Sequence, residues 1–131
     1  MHWFEQIQFQ AKLSPDEPAV IFPGGMATYG KLVECVENAS QHVLRSGLKK
    51  GEIVALELRH PLLHLVVILA LHRCGIPSLT LQTAHLIRES KLAVDRLLSD
   101  RHQEPGSIFK LTLVSEQWLM PPPNLPVLYD R

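Results

Sequence analysis

No excess of either charge is present: thirteen Lys and Arg balance thirteen Asp and Glu over 131 residues. That excludes a polybasic module whose affinity rests on neutralising phosphates. Cysteine is scarce, and two residues cannot build a disulfide framework. Aromatic residues are 6% of the chain and do not interleave with the scattered basic residues, as a nucleic-acid surface would require. The most apolar run, Leu62 to Leu71, is ten residues long and interrupted by His64, whereas a membrane span needs about 20. Met1-His2-Trp3-Phe4-Glu5 lacks the cationic start and long apolar stretch of an export signal. A cytoplasmic location is expected. The signature of disorder is missing too, because 46% of the residues are hydrophobic and the net charge is zero. This length makes one compact domain the default.

What is present is a succession of short elements. Phe4, Ile7 and Ala11 recur at helical spacing, predicting a helix from His2 to Leu13. Ser14-Pro15-Asp16-Glu17-Pro18 stops it. Ala19 to Phe22 is short and β-branched, a strand. Pro23-Gly24-Gly25 turns the chain and Met26-Ala27-Thr28 returns it, a small hairpin. Thr28 is placed to cap a helix from about Tyr29 to Arg45. Its apolar face carries Leu32, Val33, Val36, Ala39, Ser40, Val43 and Leu44, the clearest 3.6-residue period in the chain. Gly47 supplies a left-handed stop and Leu48 its hydrophobic contact.

Ile53 to Leu56 does not alternate and suits a strand covered on both faces. His60 then caps a helix with Pro61 in its first position. This helix, Pro61 to Cys74, is apolar nearly all round, and Gly75 ends it. Ile76 to Leu81 predicts another strand. Weaker signals follow: a helix at Ala84 to Leu92, a strand at Val94 to Leu98, a loop at His102 to Ser107, a strand at Phe109 to Val114 and a helical turn at Ser115 to Leu119. Met120 to Pro126 is too rich in proline for regular structure. The order strand, helix, strand, helix, strand means βαβ units and a mostly parallel sheet. The expectation is an α/β domain over residues 1–119 with a proline-rich linker or arm over 120–131.

Few runs could carry chemistry. Gly25 to Leu32 matches the G-x-x-x-x-G-K spacing of a phosphate loop, but Leu32 stands where Ser or Thr must hold magnesium. A hairpin followed by a helix start accounts for the run. His60 and His64 share a helix face at i, i+4, a spacing that can bind zinc, but no third ligand is evident. A capping His60 and a packed His64 are the plainer reading. His72 suits the negative end of its helix. Cys35 and Cys74 fit small buried hydrophobes better than reactive thiols. Pro123-Asn124-Leu125-Pro126 meets the PxxP minimum, and a passive linker accounts for it. The residues themselves assign no catalytic, cofactor-binding or metal-ligating position.

The ordered set is more specific than any piece. Pro15-Asp16-Glu17-Pro18-Ala19-Val20-Ile21 is followed by Ala27-Thr28-Tyr29-Gly30-Lys31-Leu32. Then come Leu44-Arg45-Ser46-Gly47-Leu48-Lys49-Lys50-Gly51-Glu52-Ile53-Val54-Ala55-Leu56 and Ala70-Leu71-His72-Arg73-Cys74-Gly75-Ile76-Pro77. This resembles the N-terminal part of the adenylate-forming (AMP-binding) enzymes: acyl-CoA synthetases, aryl-CoA ligases and peptide-synthetase adenylation domains. That family shows P-x-x-P-A, T-Y-x-E-L, L-x-x-x-G-V-x-x-G-D-x-V-A and A-x-x-x-A-G-A in the same order. Arg96-Leu97-Leu98-Ser99-Asp100 stands for its V-L-T-D strand. Lys31, Glu52 and Cys74 depart from the pattern, as does Leu81-Gln82-Thr83 in place of L-N-P.

The resemblance implies an ATP-dependent, magnesium-assisted activation of a carboxylate. An acyl-adenylate forms, and coenzyme A or a carrier-protein thiol takes the acyl group. The family's T-S-G-T-T-G-x-P-K phosphate loop occurs nowhere in these residues, nor do its Y-G-x-T-E motif and catalytic lysine. The expectation is therefore an N-terminal fragment of such a ligase, a scaffold not competent in catalysis alone. Its partner would be the remainder of the ligase or, through uncovered apolar surface, a second copy. The alternative is a stand-alone, non-catalytic interaction module on the same scaffold.

Overall fold

A computed structural model of the chain describes residues 3–80, 94–100 and 110–122. Its elements are α1 (Trp3–Leu13), β1 (Pro18–Phe22), β2 (Gly25–Thr28), α2 (Tyr29–Arg45), β3 (Val54–Glu57), α3 (Pro61–Arg73), β4 (Ser78–Thr80), β5 (Arg96–Ser99), β6 (Lys110–Leu113) and a 3-10 turn over Glu116–Leu119. β1 and β2 pair antiparallel as a separate hairpin. The other four strands form one parallel sheet in the order β4-β3-β5-β6. This is the α/β architecture that the element order implies.

Local chemistry sets the boundaries. The Thr28 hydroxyl accepts the Lys31 N–H at 3.1 Å, capping α2. Gly47, with φ of +85°, takes the left-handed position past Ser46, and Leu48 is buried behind it. The Leu63 N–H donates to His60 Nδ1 at 3.3 Å, so an imidazole caps α3, with Pro61 in the first turn.

The core lies between the sheet and the layer made by α2 and α3. Side chains alternate across a strand, so Val54, Leu56 and Leu98 join Val36, Val43, Leu63, Val67 and Leu71 in the main cluster. Ala55 and Leu97, opposite each other in register, point to the other face with Val94 and Leu111. All four residues of β3 are buried; the apolar run accounts for Val54, Ala55 and Leu56, and Glu57 is buried with them. The Trp3 indole N–H donates to His72, which seats α1 on the end of α3. Farther along, Asn38 Nδ2 donates to Leu119 O at 3.0 Å and His42 Nε2 to Met120 O at 2.9 Å. The His42 and Trp118 rings stack at 5.3 Å, fastening the 3-10 turn to α2.

Three expectations are corrected. The strand begins at Val54, because Ile53 turns its backbone to Asp95: its N–H meets Asp95 Oδ2 at 2.7 Å and its carbonyl accepts the Asp95 N–H at 2.8 Å. Leu44 is 64% exposed rather than on the packed face of α2, where buried Cys35 is found instead. β5 starts at Arg96 and ends at Ser99, two residues later and one later than the apolar run implies. Ala84–Leu92, His102–Ser107 and Pro123–Pro126 lie outside the described residues. Among the described residues, no helix is long and apolar enough to cross a membrane.

Candidate functional site

In an open parallel sheet, ligands bind beyond the carboxyl ends of the strands, where the strand order reverses. Here β4 lies on one side of β3 and β5 on the other, so the reversal falls between β3 and β5. Glu57 ends β3 and Ser99 ends β5, paired in register. Ser99 Oγ donates to Glu57 Oε1 at 3.3 Å, and both residues are buried. One step outward, the Arg59 N–H donates to Asp100 Oδ2 at 2.9 Å, and Arg59 Nε lies 3.5 Å from Asp100 Oδ1. Two steps outward, His60 Nε2 meets Glu116 Oε1 at 3.1 Å.

These contacts leave little free. His60 Nδ1 accepts the Leu63 N–H, so the ring proton sits on Nε2 and points to Glu116. Neither nitrogen keeps a lone pair for a metal. His64 lies one turn on, half-buried, and burial pushes its pKa down. No group of three His, Cys, Asp or Glu residues suited to a metal ion occurs among the described residues. The carboxyl edge therefore works as a polar clasp. It joins the ends of β3 and β5 and the turn after β6 through paired groups, with Asp100 Oδ1 held by the Arg59 charge but making no hydrogen bond among the described residues.

The run with phosphate-loop spacing does not fit a nucleotide. Gly25 to Thr28 is strand β2, the backbone from Tyr29 is helical, and Leu32 is buried in the core. Both cysteines have raised pKa values caused mainly by burial; Cys35 is shut in and Cys74 is partly exposed.

Sequence reasoning passed over the amino edge of the sheet. Arg96, only 9% exposed, sends Nη1 to Ser46 O at 3.2 Å and lies 3.6 Å from Glu52. Glu52 also accepts the Lys49 N–H at 2.7 Å. Glu52 is one of the departures from the family pattern quoted above, and its carboxylate lies between the Lys49 N–H and the Arg96 guanidinium. The signal was a charge at each end of two apolar strands. Periodicity assigns such charges to solvent, which is why it missed them.

Comparison with known proteins places these observations. The family model for the AMP-binding enzymes matches residues 7–95. A 2-succinylbenzoate–CoA ligase from Listeria innocua is 32% identical over 75 residues, 57% of this chain and 16% of that protein. The N-terminal subdomain of NpsA from Klebsiella oxytoca, solved in complex with 3-hydroxybenzoyl-AMSN, superposes with a TM-score of 0.73 at 25% identity, covering 95% of this chain and 33% of that one. O-succinylbenzoate coenzyme A synthetase (MenE) from Bacillus subtilis, in complex with AMP, superposes with a TM-score of 0.67 at 19% identity, covering 85% and 30%. The chain thus spans about a sixth of the curated relative and about a third of each solved chain.

Proposed function

The chain belongs to the AMP-binding enzyme family, and on that premise we propose that these 131 residues are framework. They form one wall of the N-terminal domain of a ligase that activates a carboxylate with ATP, and they do not adenylate alone. ATP, magnesium and the acceptor thiol would be handled by the rest of such an enzyme. No step of that reaction is assigned to a residue here.

One observation carries this reading. At the place where an open parallel sheet would hold a ligand, Glu57, Asp100 and Glu116 each face a partner, Ser99, Arg59 and His60 in turn, and only Asp100 Oδ1 is left buried without a hydrogen bond among these three pairs. The surface of α3 supports it. A helix apolar all round is normally covered all round, yet Leu65, Ile68 and Leu69 form a half-buried stripe at i, i+3, i+4. The occupant proposed for that stripe is the remainder of the larger domain, since the solved chains are about three times as long. In its absence a second copy would cover it.

The deciding experiment is acid-dependent ATP–pyrophosphate exchange by the purified chain, across aryl and fatty acids. No exchange above the blank is expected. Exchange that depends on the acid would overturn the framework reading.

A further inference from the structure

At the amino edge of the sheet, opposite the His60 end, the last turns of α2 and α3 converge. Ser40, Gln41, Leu44, Lys50, Arg73 and Cys74 line a cleft of about 360 Å³ there, within the roughly 300–1,000 Å³ typical of small-molecule sites.

Two cations stand at this cleft without carboxylate partners among the described residues. Among the described residues the ion pairs are Lys31–Glu34, Arg59–Asp100, His60–Glu116 and Arg96–Glu52, and neither Lys50 nor Arg73 takes part. Both are exposed, and each rests against a neighbour. The Arg73 guanidinium lies 4.4 Å over the Phe4 ring. The Lys50 stem runs along Gly75, whose φ is +77°; a Cβ there would come within 3.1 Å of Lys50 Cε. The Ser40 hydroxyl donates its proton to Val36 O at 2.8 Å, and its side chain also hydrogen-bonds the Cys74 thiol. Burial raises the pKa of the Cys74 thiol, while the charges of Arg73 and Lys50 act on it in the opposite sense, so both fields reach into the cleft.

We propose that this cleft is an anion subsite that takes a phosphate group, either free phosphate or the phosphomonoester end of a small molecule. Two cations at the cleft match the charge of a phosphate dianion, and the exposed Gln41 amide adds donors beside them. The competing role for the cations is purely internal: to offset the negative carbonyl ends of α2 and α3.

Cys74 serves as the reporter and buried Cys35 as the reference. The chain is alkylated with iodoacetamide, the Cys74 thiolate displacing iodide as the C–S bond forms and the C–I bond breaks. Labelled peptides are quantified by mass spectrometry. Inorganic phosphate at about 10 mM should slow Cys74 labelling about threefold or more against sodium chloride of equal ionic strength. Phenyl phosphate tests the monoester source: protection by it as well extends the site to monoesters, and protection by inorganic phosphate alone restricts it to the free ion. Lys50→Gln should abolish protection. Gln41→Glu, at an exposed position, should do the same if the first variant folds poorly. Labelling that phosphate slows no more than chloride does would overturn the proposal and leave the cations to the helix ends. If Cys74 is too slow to label, amide NMR of Lys50 and Gly75 decides. Saturable phosphate-dependent shifts lost in K50Q support the site, and their absence overturns it. Neither result depends on pyrophosphate exchange, so this proposal and the framework reading can fail separately.

Discussion

Arg96 and Glu52 lie 3.6 Å apart at the amino edge of the sheet, with the arginine side chain 10% and the glutamate 26% exposed. Glu52→Ala strips the guanidinium of its counter-charge and the Lys49 N–H of its acceptor. Unfolding free energy should fall by about 1–3 kcal/mol. The Lys31–Glu34 pair, 56% and 60% exposed, is the contrast; Glu34→Gln should cost no more than about 0.5 kcal/mol. Urea denaturation of both variants checks this, and equal losses would count against it.

Removing the α2 cap has a defined cost. Thr28→Ala leaves the Lys31 N–H without its acceptor and should destabilise the chain by about 1 kcal/mol. Thr28→Ser keeps the oxygen and should restore most of that loss. A Ser variant as weak as the Ala variant would mean that the hydroxyl does not act as the cap.

Gly75 combines a left-handed backbone with a close neighbour. Gly75→Ala should cost about 1–2 kcal/mol. Gly24 has φ of +92° but open space around it, so Gly24→Ala should cost less, about 1 kcal/mol, from backbone strain alone. Thermal melts of the two variants give the order.

His64 sets a pH dependence. Burial lowers its pKa below the ordinary 6.5, so the unfolded chain binds a proton more readily than the folded one. The stability this group contributes is complete above about pH 6.5 and is lost as pH falls toward the depressed folded value. His64→Gln should flatten that part of the stability–pH curve. Denaturation midpoints at several pH values for both proteins test this, and parallel curves would contradict it.

The stripe on α3 predicts association. The chain should sediment as a species larger than the monomer, and Ile68→Lys should shift it toward monomer and reduce binding of a hydrophobic dye. A wild-type chain that sediments as a monomer without binding dye would mean that Leu65, Ile68 and Leu69 need no cover.

Much of this architecture is legible in the residues. Thr28, Gly47, His60, Pro61 and Gly75 mark the ends of α2 and α3 because each solves a local backbone problem that has few solutions. Strand limits are less legible. An apolar side chain such as Ile53 looks the same whether its backbone joins the ladder or turns to Asp95. Leu44 fits the helical period but lies in the last turn, beyond the reach of the sheet, and is left exposed. Glu57, Ser99 and Arg96 were hidden for another reason. A buried polar group is recognised by its partner, and each partner lies some forty to fifty positions away in the chain.

The grip of Asn38 and His42 on the residues around Trp118 has a consequence for the order of assembly. Its two sides are separated by 78 and 81 positions. At a ribosomal rate of about 5–20 residues per second, α2 waits roughly 4–16 s for its counterpart to emerge. Everything between must be synthesised first, and closing so long a loop is entropically costly unless the intervening strands have already drawn the ends together. The stacked rings therefore close only after that segment has emerged, and Trp118 fluorescence in a Trp3→Phe chain would report the contact.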